Sequence, residues 1–425
     1  MTYLDANIAA IGKSAVQNLQ SMRPLVIGKD LATDYAMFCL AGLGCRQMMQ
    51  FEYGGATAFD ACGHDYKYAS KNEALWKTLT PYCDVTSFQG IALQDAIEQY
   101  KPTCIINATQ STTKCSIPQI NIATNQYQTT ISRDTIDISR RQNRRSNLMQ
   151  ALSGILAADE IRKMYFLHAS NEQSIKHNLK IDLQNLRTPA TMYETEIAHA
   201  TIIGCGGIGT YCAAALALNN TKNIHLIDAD TVEQTNLNRQ IFYANHIGKS
   251  KAQALSQTLR KAFPNTQWSS TQDFIRRDTV DALLQKHTRV FCCTDNYASR
   301  LLVSRYCQTH AIPLVEAGCD TQMAGLFAYI PNQTHTVHCA RNLVEKAAQE
   351  ARIKKETSCA RQANPSIVIP NAVIGTMMPF ALDRLVVNQK FEPFTKNVLI
   401  YNSLVNKKFL FQSARVCTCQ TFERQ

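Results

Sequence analysis

Short apolar runs alternate with longer helical patterns along most of this chain. In the second half, Ala200 to Ile203 enters a glycine turn, Gly204-Cys205-Gly206-Gly207-Ile208-Gly209. The chain leaves that turn through an Ala/Leu-rich helical stretch into a second apolar run, Ile224 to Ile227. Strand, glycine turn, helix, strand is a β-α-β unit, and it predicts a parallel sheet. Further strands are predicted over Arg289 to Cys293 and Ile312 to Glu316, with an edge strand over Met323 to Pro331. A charged helix is predicted over Leu343 to Glu356. Pro365, Pro370 and Asn371 are read as the turn before a closing helix from Ala372 to Val387. Asn397 to Asn402 and Lys408 to Phe411 then predict a β-hairpin.

The first half follows the same order. Pro24 to Gly28 is an apolar strand ahead of a helical pattern running through Leu43, and Met48 to Glu52 is a second strand. Thr103 to Gln110 lines up with Arg289 to Asp295, Ile117 to Ile120 with Ile312 to Val315, and Leu152 to Ile161 with the helix from Val373 to Leu385. Four aligned elements argue for an internal duplication. The first copy keeps only Gly28 of the glycine turn, has Gln110 where the second has Asp295, and lacks an Asn-Leu-Asn-Arg-Gln segment. Its stretch before Pro118 is also shorter, which predicts a trimmed helix. Between the copies, Leu179 to Leu186 reads as either a helix turn or a strand.

The polar residues of the second copy point to a triphosphate. Glycines at 204, 206, 207 and 209 let the backbone approach an anion, and the helix that follows offers free N–H groups. Asp228 ends the second strand, where a ribose hydroxyl is read, and Asp230 follows it. Asn236, Arg239 and Lys251 add an amide, a guanidinium and an ammonium, more than a hydride-transfer site needs. Arg239 and Lys251 suit the charge that builds on a leaving pyrophosphate. Asp295, at the end of a strand, suits Mg²⁺.

In the motifs GCGGIG, DADTVEQTNLNRQ, GKSK, TDN and IPLVEAG, Thr201 to about Val387 resembles the ubiquitin-activating and ThiF/MoeB/HesA-like adenylyltransferases. The resemblance implies an α/β fold: two Rossmann-like halves in tandem, forming a monomeric pseudo-dimer with a C-terminal β-hairpin. It divides the chain into an inactive adenylation-like domain (1–163), a linker (164–196), an active domain (197–391) that includes a candidate thiol loop (339–365), and a hairpin tail (392–425). It implies ATP and Mg²⁺, and a ubiquitin-like protein or peptide activated at its C-terminal carboxylate. Asp228 would bind ribose, Asn236, Arg239 and Lys251 the phosphates, and Asp295 the metal. The family's inactive half lends an arginine to the site, and Arg23, Arg46 and the Arg140 to Arg145 group all stay open for that role.

Cys359, beside Lys354, Lys355 and Arg361, stands where such enzymes carry a thioester-forming cysteine, and nearby cations favour the thiolate. A conjugating enzyme would then accept the cargo. The alternatives are a peptide or sulfur-carrier adenylyltransferase with no thioester step, and a scaffold that binds a ubiquitin-like protein without chemistry. Structural Zn²⁺ is doubtful, because Cys339, Cys417 and Cys419 supply three thiols, with His335 or His338 as a fourth ligand. No room is expected for a separate ubiquitin-fold or inserted cysteine domain.

Composition narrows the setting. The chain has 425 residues, 45% hydrophobic and 18% charged, which is ordinary globular usage with length for two or three cores. Sixteen scattered cysteines fit buried thiols in a reducing compartment, and with no apolar span or leader pattern the cytoplasm is expected, without membrane association. The net charge of +11 is spread widely, with no basic run interleaved with aromatics, which argues against nucleic acid.

Overall fold

The computed structural model describes residues 3–52, 83–88, 90–109, 115–124, 128–134, 136, 147–166, 178–182, 197–284, 289–356, 365–387, 397–404 and 409–414. In the first half, β1 (Pro24–Ile27), β2 (Gln47–Phe51), β3 (Asp84–Phe88), β4 (Cys104–Asn107), β5 (Gln119–Thr124), β6 (Gln128–Ser132) and β7 (Asn178–Asp182) form a sheet of order β3-β2-β1-β4-β5-β6-β7. In the second, β8 (His199–Ile203), β9 (Asn223–Ile227), β10 (Gln267–Thr271), β11 (Val290–Cys292), β12 (Leu314–Cys319), β13 (Met323–Tyr329), β14 (Asn397–Asn402) and β15 (Phe409–Ser413) form a sheet of order β10-β9-β8-β11-β12-β13-β14-β15.

The two orders superimpose strand for strand, with β15 added at the end of the second. Each sheet is parallel through its first five strands and antiparallel beyond them. In each, the chain runs outward to one side and then crosses to the other, leaving a crevice at the carboxyl ends of β1 and β4 and of β8 and β11. Open α/β sheets take ligands at that switch point.

One open reading is decided and two change. Asn178–Asp182 is a strand, one of the two forms open for this stretch, and it extends the first sheet. β13 is not an edge strand, because the C-terminal hairpin pairs onto its free side. The closing helix runs Val368–Val387, starting earlier than its prolines suggest. Pro370 lies in the first turn, where a missing N–H costs nothing. Between β4 and β5 the described residues contain no helix, whereas Tyr297–Thr309 is helical between β11 and β12.

The halves share one core. The Leu31–Leu43 and Gly207–Leu218 helices are buried at every position, because each faces its own sheet and also the other half. The Asn147–Phe166 and Val368–Val387 helices pack against them and against each other. Gly154 and Gly375 occupy equivalent positions on these two long helices. A Cβ on Gly154 would strike the carbonyl of Ala32, and one on Gly375 would come 2.5 Å from the carbonyl of Ile208, so small residues set how closely the helices meet. Tyr35, Phe38, Tyr211 and Phe242 interlock across the join, with ring centroids 5.5 to 6.4 Å apart. Each such fully buried ring contributes roughly 1.5–3 kcal/mol.

Candidate active site

The glycine turn sits in the second crevice. Gly204 leaves β8 at φ +90°, and a Cβ there would come 2.9 Å from the backbone of Cys293 and Thr294, so the turn can lie against the end of β11 only with glycine. Gly209 lets the helix turn back onto the carbonyl of Gly204, and Gly207 leaves room for the Asn371 carboxamide. Gly206 has open space beyond it, its nearest neighbour being Gln240 Nε2 at 3.7 Å. The Gly207–Leu218 helix starts with no side-chain cap, so its first N–H groups face the crevice. Such a terminus carries about half a positive charge and binds anions.

The equivalent helix in the first half is closed off. Asp30 caps Leu31–Leu43 with its own carboxylate, accepting from the Thr33 N–H in a capping box. Glu52, the counterpart of Asp228, ion-pairs with Lys29 at 3.1 Å, and Gln50 donates to the carbonyl of Gly28. An anion would have to displace these groups.

In the second half, Asp228 accepts from Cys205 N at 2.6 Å and from Asp230 N at 2.8 Å, which ties the end of β9 to the glycine turn. Burial pushes its carboxyl above the usual range, against the opposing pull of Lys251. Lys251 Nζ reaches Asp230 Oδ2 at 2.9 Å from the first turn of the Lys251–Ala262 helix, which Ser250 caps. Asn236 accepts from Glu233 N at 3.4 Å and closes a short turn that carries Arg239. Arg239 Nη1 donates to Asn238 Oδ1 at 2.9 Å. Burial lowers the Arg239 pKa, and the nearby Cys319 and Asp295 oppose that shift. Asp295 is exposed at the end of β11, where Asn296 caps the next helix. The contacts thus draw the glycine turn, Asp228, Asp230 and Lys251 together, Arg239 lies near Asp295, and Asn236 turns its side chain back onto Glu233.

Sequence reasoning missed several residues of this crevice. The Tyr243 hydroxyl donates to the carbonyl of Cys205 at 2.6 Å and locks the turn. Gln240 is buried, with Oε1 unpartnered beside the turn. Cys319 donates to Asn371 Oδ1 at 3.0 Å, and burial pushes its thiol up to about 11 although Arg300 and Arg239 pull it down. Glu316, fully buried on β12, pairs with Arg300 at 3.4 Å and Arg341 at 3.0 Å. Gly318 and Gly325, paired across β12 and β13, make room for those two guanidinium groups. Gln240 and Glu316 had a signal, since one closes the Asn-Leu-Asn-Arg-Gln segment and the other stands in the IPLVEAG motif.

Other predicted groups fall elsewhere. Cys359, Cys417, Cys419 and Arg140 to Arg145 lie outside the described residues. His338 is buried, with Nδ1 on Ser304 Oγ at 3.0 Å and Nε2 on Thr336 Oγ1 at 3.3 Å, so its ring is already engaged. Among the described residues, no three His, Cys, Asp or Glu side chains cluster to hold a metal. Arg23 donates to the carbonyl of Tyr100, at the end of β1 opposite the crevice, and Arg46 likewise precedes β2. No described helix is long and apolar enough to cross a membrane.

The fold is an open, Rossmann-type α/β sheet with a glycine turn at its switch point. The ThiF family model matches residues 177–421, and the chain belongs to the ThiF family. Relatives include the adenylyltransferase and sulfurtransferase MOCS3 of Xenopus laevis, 28% identical over 213 residues, 50% of this chain and 45% of that protein. The SUMO-activating enzyme subunit uba-2 of Caenorhabditis elegans is 29% identical over 151 residues, 35% of this chain and 25% of its own length. The tRNA threonylcarbamoyladenosine dehydratase of Escherichia coli (strain K12) is 32% identical over 123 residues, 28% of this chain and 46% of its own. The chain thus spans less than half the length of these relatives. Among solved structures, E. coli MccB matches with a TM-score of 0.46 at 22% identity, over 57% of this chain and 70% of that one.

Proposed function

We propose that the second half is an ATP-dependent adenylating enzyme acting on the C-terminal carboxylate of a ubiquitin-like protein or peptide. The observation that carries this reading is the uncapped helix behind the glycine turn, ringed by Asp228, Arg239, Lys251 and Asp295. Names among its relatives, an adenylyltransferase and a SUMO-activating enzyme subunit, support it.

The residues fit a bound ATP. The free N–H groups and the space at Gly206 suit phosphate, and Asp228 suits the ribose. The carboxylate oxygen of the cargo attacks the α-phosphorus, an acyl-adenylate forms, and pyrophosphate leaves. Arg239 and Lys251 take up the charge that grows on the departing oxygens. Asp295 offers an exposed carboxylate to Mg²⁺, which when bound would neutralise phosphate charge. With its glycine-turn helix capped by Asp30, the first half is a degenerate partner, and the chain works as a monomeric pseudo-dimer.

The acyl-adenylate then passes to Cys359: the thiol sulfur bonds to the acyl carbon, AMP leaves, and the thiol proton goes to solvent. A conjugating enzyme takes the acyl group by the same exchange. Intact mass after incubation with ATP, Mg²⁺ and cargo tests this step. The expected product is a cargo adduct that thiol reductant removes and that is missing in Cys359→Ala. Release of pyrophosphate with no enzyme-linked adduct, AMP staying on the cargo, would instead mark an adenylyltransferase that stops short of a thioester.

A further inference from the structure

A chain of hydrogen bonds links the first half to the segment that carries Arg239. Arg239 Nη1 donates to Asn238 Oδ1 at 2.9 Å, and Asn238 Nδ2 donates to Asn7 Oδ1 at 2.8 Å. Asn7 Nδ2 donates in turn to the carbonyl of Gly42 at 2.9 Å. Asn7 lies in the N-terminal helix Asp5–Ile11, 231 positions from Asn238, and both side chains are fully buried.

The direction of this chain is fixed at its far end. A backbone carbonyl can only accept, so the Asn7 amide nitrogen must face Gly42 and its oxygen must face Asn238. The second hydrogen of Asn238 Nδ2 goes to the carbonyl of Ser366 at 2.7 Å. With both donors used, Asn238 has only its oxygen to offer, and a guanidinium can only donate to it. Turning the Asn238 amide over would set its oxygen against Asn7 Oδ1 and the Ser366 carbonyl and its NH₂ against the Arg239 guanidinium, so Asn7 and Ser366 together hold it. Gly42 holds the same segment from below: a Cβ there would come 2.7 Å from the carbonyl of Asn238.

We infer that Asn7 of the first half is a positioning residue, which through Asn238 fixes the orientation of Arg239 toward the phosphates of a bound nucleoside triphosphate. This rests on the nucleotide reading given above. It assigns the first half a working part in the site: an amide that aims the second half's arginine. Orienting a charged donor before it meets its anion saves the ordering cost that a free side chain would carry.

The experiment is calorimetric titration of the whole chain with ATP and, separately, with AMP, in the unaltered protein, Asn7→Ala and Asn7→Asp, with thermal melting alongside. Asn7→Asp keeps the shape but sets an oxygen against the carbonyl of Gly42. Both variants are expected to weaken ATP about tenfold, the worth of one charge-assisted contact, while AMP changes less than twofold. If either folded variant keeps the ATP-to-AMP ratio of the unaltered protein, the inference is overturned and the functional reading stands. If the unaltered protein binds no ATP, both fall together. A variant that melts early is replaced by Asn7→Ser, judged by the same ratio.

Discussion

At the scale of single residues, the site's chemistry follows from which groups are buried and what they touch. Asp228 is the clearest case. Burial raises its folded-state pKa above the ordinary aspartate value of about 3.9. Below that value the group is protonated both folded and unfolded, and it costs nothing. As the pH climbs through the raised value, the folded protein must hold a buried charge, and the stability that Asp228 contributes is lost. Melting curves of the unaltered protein and Asp228→Asn should therefore diverge over that interval, with the variant gaining relative to the parent as the pH rises. A difference that stays constant with pH would contradict this account of Asp228. Asp228 was legible in sequence because it ends a strand at fixed spacing from a glycine turn. Asn7 was not, since its partner lies in the other half and only folding brings the two amides together.

At the scale of elements, the two helices that follow β1 and β8 show how one fold makes one open and one capped terminus. The first gives its Thr33 N–H to Asp30, and the second has no side-chain cap. Asp30→Ala should cost about 1 kcal/mol in denaturant unfolding, the usual worth of an N-cap, and leave ATP affinity where it was. A parallel loss of ATP binding would mean that the first crevice has a part in it. The succession of strands and helices around each glycine turn could be read from periodicity, because apolar spacing reports which face is buried; the order of strands in the sheets and the short helices between them could not. The exceptions have local causes. Asn-Leu-Lys-Ile-Asp is too polar to choose between a helix turn and a strand until β6 offers it an edge, and Pro370 was read as a turn where it starts a helix. The gap filled by Arg300, Arg341 and Glu316 was half visible, since Glu316 and Gly318 stand in the IPLVEAG motif while Gly325 and the two arginines come from other elements.

At the scale of the whole molecule, the halves are joined by a buried seam of helices rather than a surface contact. A charged cluster lies within it. Asp159 accepts from Arg162 at 3.0 Å and stands 3.7 Å from Lys163, which is also 3.7 Å from Glu160, with all four side chains fully buried. Tyr401 of the second half donates to Asp159 Oδ2 at 3.0 Å, closing the cluster across the seam. Tyr401→Phe leaves that oxygen one donor short, and should cost roughly 1–3 kcal/mol. Because the core is continuous, hydrogen exchange in denaturant should show Leu31–Leu43 and Gly207–Leu218 opening at the same midpoint, in the parent and in this variant. Separate midpoints would contradict a shared core. All-round burial of both helices hints at such a seam in the sequence, though a run of Ala and Leu does not say what covers its second face.

If the second crevice activates a carboxylate with ATP, the protein should catalyse exchange of labelled pyrophosphate into ATP. The unaltered protein, given Mg²⁺ and a ubiquitin-like protein or peptide with a free C-terminus, should exchange label only when that cargo is present. Arg239→Ala should reduce the rate by about 10²–10³, and Arg239→Lys should recover little of it, because an ammonium cannot grip two oxygens at once. Cargo-dependent exchange that survives unchanged in Arg239→Ala would contradict the account.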